Sequence, residues 1–223
     1  MTHTPVQVPA MPAEPSLAPA PAGNLSHRCH WCGTGADYCA YHDTEWGFPV
    51  ADDRRLFEKL CLEGFQSGLS WLTILRKRAA LRAAFSNFDI EKMARFTERD
   101  VQRLLGDAGI IRHRGKIEAA IHNARRALTL LDSESSLAAY LWRFEPAPTS
   151  RPRKLTRDVL GTMTASSESI ALSKDLKQRG WKFIGPTTMY AMMQAMGLVN
   201  DHQHDCDVRA QVEQARAAFE VPR

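Results

Sequence analysis

Two widely separated pairs of residues offer the chemistry of a soft metal: Cys29 with His42 near the start of the apolar-patterned chain, and His202 with Cys206 near its end. Thiolate plus imidazole is a ligand set that favours tetrahedral zinc. On a helix the four-residue spacing of His202 and Cys206 places both side chains on one face, and a loop also lets both reach one ion. Spacing alone leaves the set open, because Cys29 and Cys32 form a competing C-x-x-C pair and His30 and His204 are further candidates. A metal-free reading, with the cysteines as small core residues and the histidines solvated, stays open beside it. Four protein ligands would leave no position for water, so such an ion would tie the ends of the fold together rather than catalyse.

Glu63 is the second residue out of place. It lies between Leu62 and Gly64 in an otherwise apolar stretch, where a carboxylate needs a donor or a cation. A structural ion pair and a site residue are both consistent with that. Tyr41, Trp46, Trp71 and Trp31 offer flat faces that favour stacking on a base, and more so on a cationic one; the plain alternative for each is a core aromatic. Trp71 follows Glu63 by eight residues, a helical distance.

The elements that would position these residues read as helices. Apolar residues recur at helical spacing at Leu56, Phe57, Leu60 and Cys61, and again at Ile117, Ile121, Ala124, Leu128 and Leu131, while strand-like alternation is hard to find. Thr97, followed by Glu98 and Asp100, reads as a helix start, and Ser167 as the cap of a helix beginning near Glu168. Pro146, Pro148 and Pro152 interrupt the pattern with an irregular loop from Phe144 to about Leu155. The expectation is one all-α globular domain over 27–210, preceded by a disordered Pro/Ala-rich tail over 1–26 and followed by a C-terminal tail over 211–223 with helical capacity.

Composition sets outer limits. The 29 basic and 25 acidic residues give a formal charge of +4, which permits a polyanion partner without identifying one. Five cysteines are an odd number, and the N-terminus lacks a basic start followed by an apolar run. Both features argue against a disulfide framework and a membrane anchor. The expected location is the cytoplasm.

Four ordered blocks carry a family resemblance: Tyr41 to Gly47 (YHDTEWG), Cys61 to Trp71 (CLEGFQSGLSW), Asp107 to Ile117 (DAGIIRHRGKI) and Gly197 to His202 (GLVNDH). They resemble 3-methyladenine DNA glycosylase I, over nearly everything from Arg28 to Cys206. The resemblance implies a zinc-containing enzyme of the helix-hairpin-helix superfamily, acting as a monomer on alkylated double-stranded DNA. It implies one structural Zn2+ held by Cys29, His42, His202 and Cys206, with Cys32 and Cys39 as bystanders. It implies base-binding roles for Tyr41 and Trp71, beside which Trp46 and Trp31 stay candidates by residue type alone, and a catalytic Glu63 that accepts a hydrogen bond from the exocyclic amine of adenine.

The same resemblance assigns Gly180 to Thr188 to the hairpin, where Gly185 is expected to supply the tight turn and Pro186 to open a helix whose amides face phosphate. Gly185, Thr187 and Lys182, with Arg112, Arg114 and Lys116 from a second basic cluster, are the expected DNA contacts. Asp201 lies roughly where many helix-hairpin-helix glycosylases place a catalytic Asp and is a candidate for it, but since this family lacks the usual Asp, orienting a metal ligand or capping a helix is the favoured expectation. No motif positions a lysine as a Schiff-base nucleophile, so strand cleavage is not expected. Phe65 departs from the family, which carries Gln there, and bears on pocket shape. Two rivals are a zinc-dependent DNA-binding module, which leaves Glu63 unexplained, and a zinc metallohydrolase, which needs an open coordination position.

Overall fold

Eleven α-helices are found, with three short 3-10 turns and no strand, among the residues that the computed structural model describes, 25–223. In chain order they are α1 (Ala36–Thr44), α2 (Asp53–Gln66), α3 (Trp71–Ala84), α4 (Ile90–Ala94), α5 (Glu98–Gly106), α6 (Arg114–Leu131), α7 (Leu137–Trp142), α8 (Arg157–Thr162), α9 (Ser167–Gln178), α10 (Pro186–Ala195) and α11 (Arg209–Ala217). The all-α expectation holds, and the tail expected over 1–26 falls outside the described residues but for its last two. Of those, Ser26 donates its amide to Asp207 Oδ2 at 2.7 Å.

Local chemistry starts the helices where hydroxyls and carboxylates stand ready. Asp52, Ser70, Asp89, Ser136 and Thr156 each accept an amide of the first turn of the helix they precede. Thr97 and Asp100 form a reciprocal capping box at α5. The cap of α9 is Ser166, one residue before the expected Ser167, and Ser169 completes its box.

α2 is the central helix. Every residue from Leu56 to Phe65 is buried, including Glu58, Lys59 and Glu63. α3, α6, α7 and α10 pack around it, so its apolar residues face neighbours on all sides and its charged residues need partners. α6 crosses its C-terminus, where Lys116 Nζ donates to the carbonyls of Phe65 (2.8 Å) and Ser67 (2.5 Å). Those carbonyls are the negative end of the helix and have no partner of their own. The C-terminal helix α11 straddles the boundary expected at 210: Val212 is buried and Phe219 packs on Trp142 at 4.6 Å between ring centroids.

Gly197 closes the core. Its φ of +78° lies in the left-handed region, and a Cβ there would stand 2.5 Å from the backbone of Phe48 and Pro49. Gly197→Ala is therefore expected to destabilise the domain by about 2–5 kcal/mol, from left-handed strain plus a backbone clash that no rotamer relieves. A denaturant midpoint within experimental error of wild type would contradict this.

Candidate active site and metal cluster

A cleft with a cavity volume of about 300 Å³ opens between the N-terminal segment, α2 and the end of α10. Trp31, Tyr38, Tyr41, Trp46 and Trp71 give it aromatic walls, and Glu63, Lys59 and Gln66 bring polar groups from one face of α2. Tyr41 and Trp71 meet at 5.2 Å between centroids, Trp31 and Trp46 at 4.9 Å. Burial, and then the nearby Glu63 carboxylate, push the Tyr41 hydroxyl well above its ordinary range, so it is a neutral phenol.

Glu63 has the ion pair of its structural reading and also lines the cleft. It is buried at the pocket and also paired, with Lys59 Nζ 2.7 Å from Oε1 one helical turn earlier. Lys59 also donates to Tyr41 Oη at 2.9 Å and lies 3.3 Å from the centroid of the Trp71 ring. No motif singled out this lysine; the signal that could have found it is the i, i+4 spacing to Glu63 on a helix. Phe65, the departure from the family pattern, points away from the pocket. It is buried against Phe85 at 5.5 Å.

The four expected ligands converge. One donor atom from each of Cys29, His42, His202 and Cys206 lies within 4.8 Å of every other, and all four residues are buried. Cys206 Sγ is 3.6 Å from His42 Nε2 and 3.4 Å from His202 Nδ1, and Cys29 Sγ is 3.6 Å from His202 Nδ1. The opposite ring nitrogens are tied: His42 Nδ1 meets Asp43 Oδ1 at 2.7 Å, and His202 Nε2 meets the Trp46 carbonyl at 2.9 Å. A carboxylate and a carbonyl in those places fix each ring with its other nitrogen toward the cluster. Arg28 in turn grips Asp43 through two nitrogens. The Cys206 thiol is held far below its ordinary range, first by the hydrogen bond to Cys29 and then by His202 and His42. The donor set fits a four-coordinate soft metal. Cys32 and Cys39 stand outside it, 4.0 Å apart, sulfur to sulfur.

The cluster also shores up the pocket. Trp46 packs edge-on against His202 at 4.7 Å, and Trp31 against His42 at 5.2 Å. One side of the aromatic wall thus rests on ligand imidazoles. Asp201 does neither task expected of it. It is buried at the rim, where it accepts from Tyr190 Oη (2.6 Å) and Gln194 Nε2 (2.9 Å) and pairs with Arg151.

α9 and α10 form a helix-hairpin-helix. Pro186 opens α10, and no side chain caps its first amides. Asn123 of α6 clamps the hairpin through both backbone groups of Lys182, each at 2.9 Å. The left-handed turn residues are Gly180 (φ +83°) and Phe183 (φ +55°), whereas Gly185 has φ −61° and serves as the helix cap. The expected tight turn thus falls on Phe183, whose Cβ lies 3.3 Å from where a Cβ on Gly64 would stand. Thr187, Lys182, Arg112 and Arg114 are exposed, Arg114 between Glu98 and Glu118. Lys116 is the exception in the basic cluster: buried on two carbonyls, it is not a surface cation. Leu69 is exposed at the turn between α2 and α3.

An aromatic pocket with a carboxylate on its wall, set beside this hairpin in an all-α domain, defines a DNA glycosylase of the helix-hairpin-helix class. Residues 31–210 match the methyladenine glycosylase family, and the chain belongs to that family. It is 49% identical over 179 residues to DNA-3-methyladenine glycosylase 1 of Escherichia coli (strain K12), covering 80% of this chain and 95% of that protein. A crystal structure of 3-methyladenine DNA glycosylase I superposes with a TM-score of 0.75 at 47% identity, covering 81% of this chain and 98% of that one. The structure of 3-methyladenine DNA glycosylase I from Staphylococcus aureus gives 0.74 at 37%, covering 82% and 96%.

Proposed function

We propose that this protein excises 3-methyladenine from alkylated double-stranded DNA, hydrolysing the N-glycosidic bond as the first step of base-excision repair and leaving the strand uncut. The observation that carries the reading is the buried Glu63 carboxylate on the wall of an aromatic pocket, 300 Å³ in volume. A base stacked in a duplex cannot reach such a pocket, so the nucleotide must rotate out. Gly185, Thr187 and the uncapped start of α10, with Lys182, Arg112 and Arg114, hold the phosphates without reading sequence. Leu69 presents an apolar side chain suited to the gap left in the stack.

Methylation at N3 makes the base cationic while it is still attached, so it departs as a neutral molecule and no strong acid is needed. Tyr41 and Trp71 stack against that cation, Trp46 and Trp31 close the far wall, and Glu63 accepts from the exocyclic amine. Water then attacks the oxocarbenium-like sugar. The cluster is taken to hold one Zn2+, a reading supported by spacing: zinc–sulfur bonds of about 2.3 Å and zinc–nitrogen bonds of about 2.0 Å set tetrahedral S···N edges near 3.5 Å, beside values of 3.4–3.6 Å. Its role is structural, since protein fills all four positions. No helix is long and apolar enough to cross a membrane among the described residues; a cytoplasmic monomer is part of the proposal. The test is incubation of the full chain with methylated duplex DNA, followed by chromatography of released bases and a denaturing gel. Free 3-methyladenine with an intact, alkali-labile strand is the expected result. Tight DNA binding with no released base would reduce the protein to a binding module.

A further inference from the structure

The reading above makes no use of Lys59. Its side chain is only 6% exposed, yet it lines the base pocket with Nζ 2.7 Å from Glu63 Oε1, 2.9 Å from Tyr41 Oη and 3.3 Å from the Trp71 ring centroid. Burial pulls this ammonium down from its ordinary range, while Glu63 holds it up. The nearest other charges, Glu45 and Arg78, neutralise each other with a 2.5 Å contact. A pocket meant to attract a cation therefore carries a cation of its own, seated on the carboxylate and on the aromatic face that a cationic base would seek. For binding alone this is a disadvantage, because two like charges in a site of low polarity repel.

The arrangement makes sense along the reaction. In the bound substrate the methylated base is positive. As the bond from C1′ to N9 breaks, its electron pair stays on N9, the base becomes neutral, and positive charge passes to the sugar, where water attacks and gives up a proton. Repulsion from a fixed ammonium is therefore greatest before cleavage and fades as the bond lengthens, which raises the bound state relative to the transition state. We propose that Lys59, held by Glu63, Tyr41 and Trp71, is an electrostatic positioning residue that trades affinity for the cationic base against a faster glycosidic cleavage. The proposal rests on the base entering this pocket. Lys59 forms no bond to the substrate in this role, and Glu63 remains the group that grips the amine.

The test compares wild type with Lys59→Met, which keeps length and removes charge, and Lys59→Arg, which keeps charge. Two quantities are measured: equilibrium binding of the permanently cationic 3,9-dimethyladeninium beside neutral 9-methyladenine, and the single-turnover rate of 3-methyladenine release from duplex DNA. Lys59→Met is expected to bind the cation about tenfold more tightly, to bind the neutral base unchanged, and to release 3-methyladenine about tenfold more slowly. Lys59→Arg should stay near wild type in both. A Met variant that is slower without binding the cation more tightly would mark Lys59 as merely structural and overturn the proposal, as would an unchanged rate. Lys59→Gln replaces the Met variant if thermal melting shows that Met fails to fold. Should wild type release no base at all, the glycosylase reading fails first, an outcome distinct from failure at Lys59 alone.

Discussion

Glu63→Gln is expected to lower single-turnover release of 3-methyladenine by about 10²-fold, roughly 2.7 kcal/mol of lost transition-state stabilisation. The size follows from what the carboxylate offers: a charge-assisted hydrogen bond worth about 1.5–3 kcal/mol in a desolvated place, opposite a base that enters as a cation. Gln preserves shape and one acceptor oxygen, so the fold should survive while charge and half of the acceptor capacity vanish. It also takes away the counterion of Lys59, which weakens binding of the incoming cation without itself slowing the bond-breaking step. Melting temperature should fall, because the buried Lys59 loses its counterion; DNA affinity serves as the control and should move little. Full activity in the variant would make Glu63 no more than a partner for Lys59.

Removal of the metal should have the largest effect on stability. The four ligands come from both ends of the domain, and a structural zinc site contributes free energy comparable to the whole stability of a domain, about 10–16 against 5–15 kcal/mol. Chelation under mildly destabilising conditions, or Cys206→Ser, is expected to lower the melting temperature by at least about 10 °C, a shift that a loss of roughly 3–5 kcal/mol produces in a chain of this length. Base binding should weaken before global unfolding, because Trp46 and Trp31 lean on His202 and His42. Metal analysis should find one zinc per chain. A purified protein free of zinc, with a melting temperature indifferent to chelator, would refute the structural role.

Much of this organisation is legible in the sequence, for identifiable reasons. Caps such as Thr97 are local: the side chain meets an amide within three residues, so the pattern and the structure coincide. The ligand set is legible through the family blocks and not through spacing, since Cys32 competes with equal right until the fold brings His202 beside Cys29. What the sequence hides are contacts that depend on packing at long range. Lys116 reads as one more cation in the run Arg112, Arg114, Lys116, yet α6 crosses the end of α2 and turns it inward onto two carbonyls. Lys59 belongs to no motif, and only the covering of α2 from Leu56 to Phe65 on every face turns it into a buried partner of Glu63. In the hairpin, composition favours Gly185 for the strained turn, while the clamp from Asn123 onto Lys182 precedes a left-handed Phe183 instead. Asp201 belongs to a network with Arg151, whose loop joins it only in the folded chain.

The position of the metal cluster in the chain has a bearing on how the protein is made. Cys29 and His42 are 13 residues apart and leave the ribosome early, whereas His202 follows Cys29 by 173 residues. For most of synthesis the first two ligands have nothing to close upon, and an ion bound there would meet only half a shell. The full set exists once nearly the entire domain has emerged, so closure of the cluster on a metal is a late event of biogenesis. A chain cut short between residues 195 and 202 includes the residues of α1 to α10 but lacks the second pair of ligands that would lock them. Such products lack half of the cluster, and metal loading becomes a mark that the whole domain has emerged.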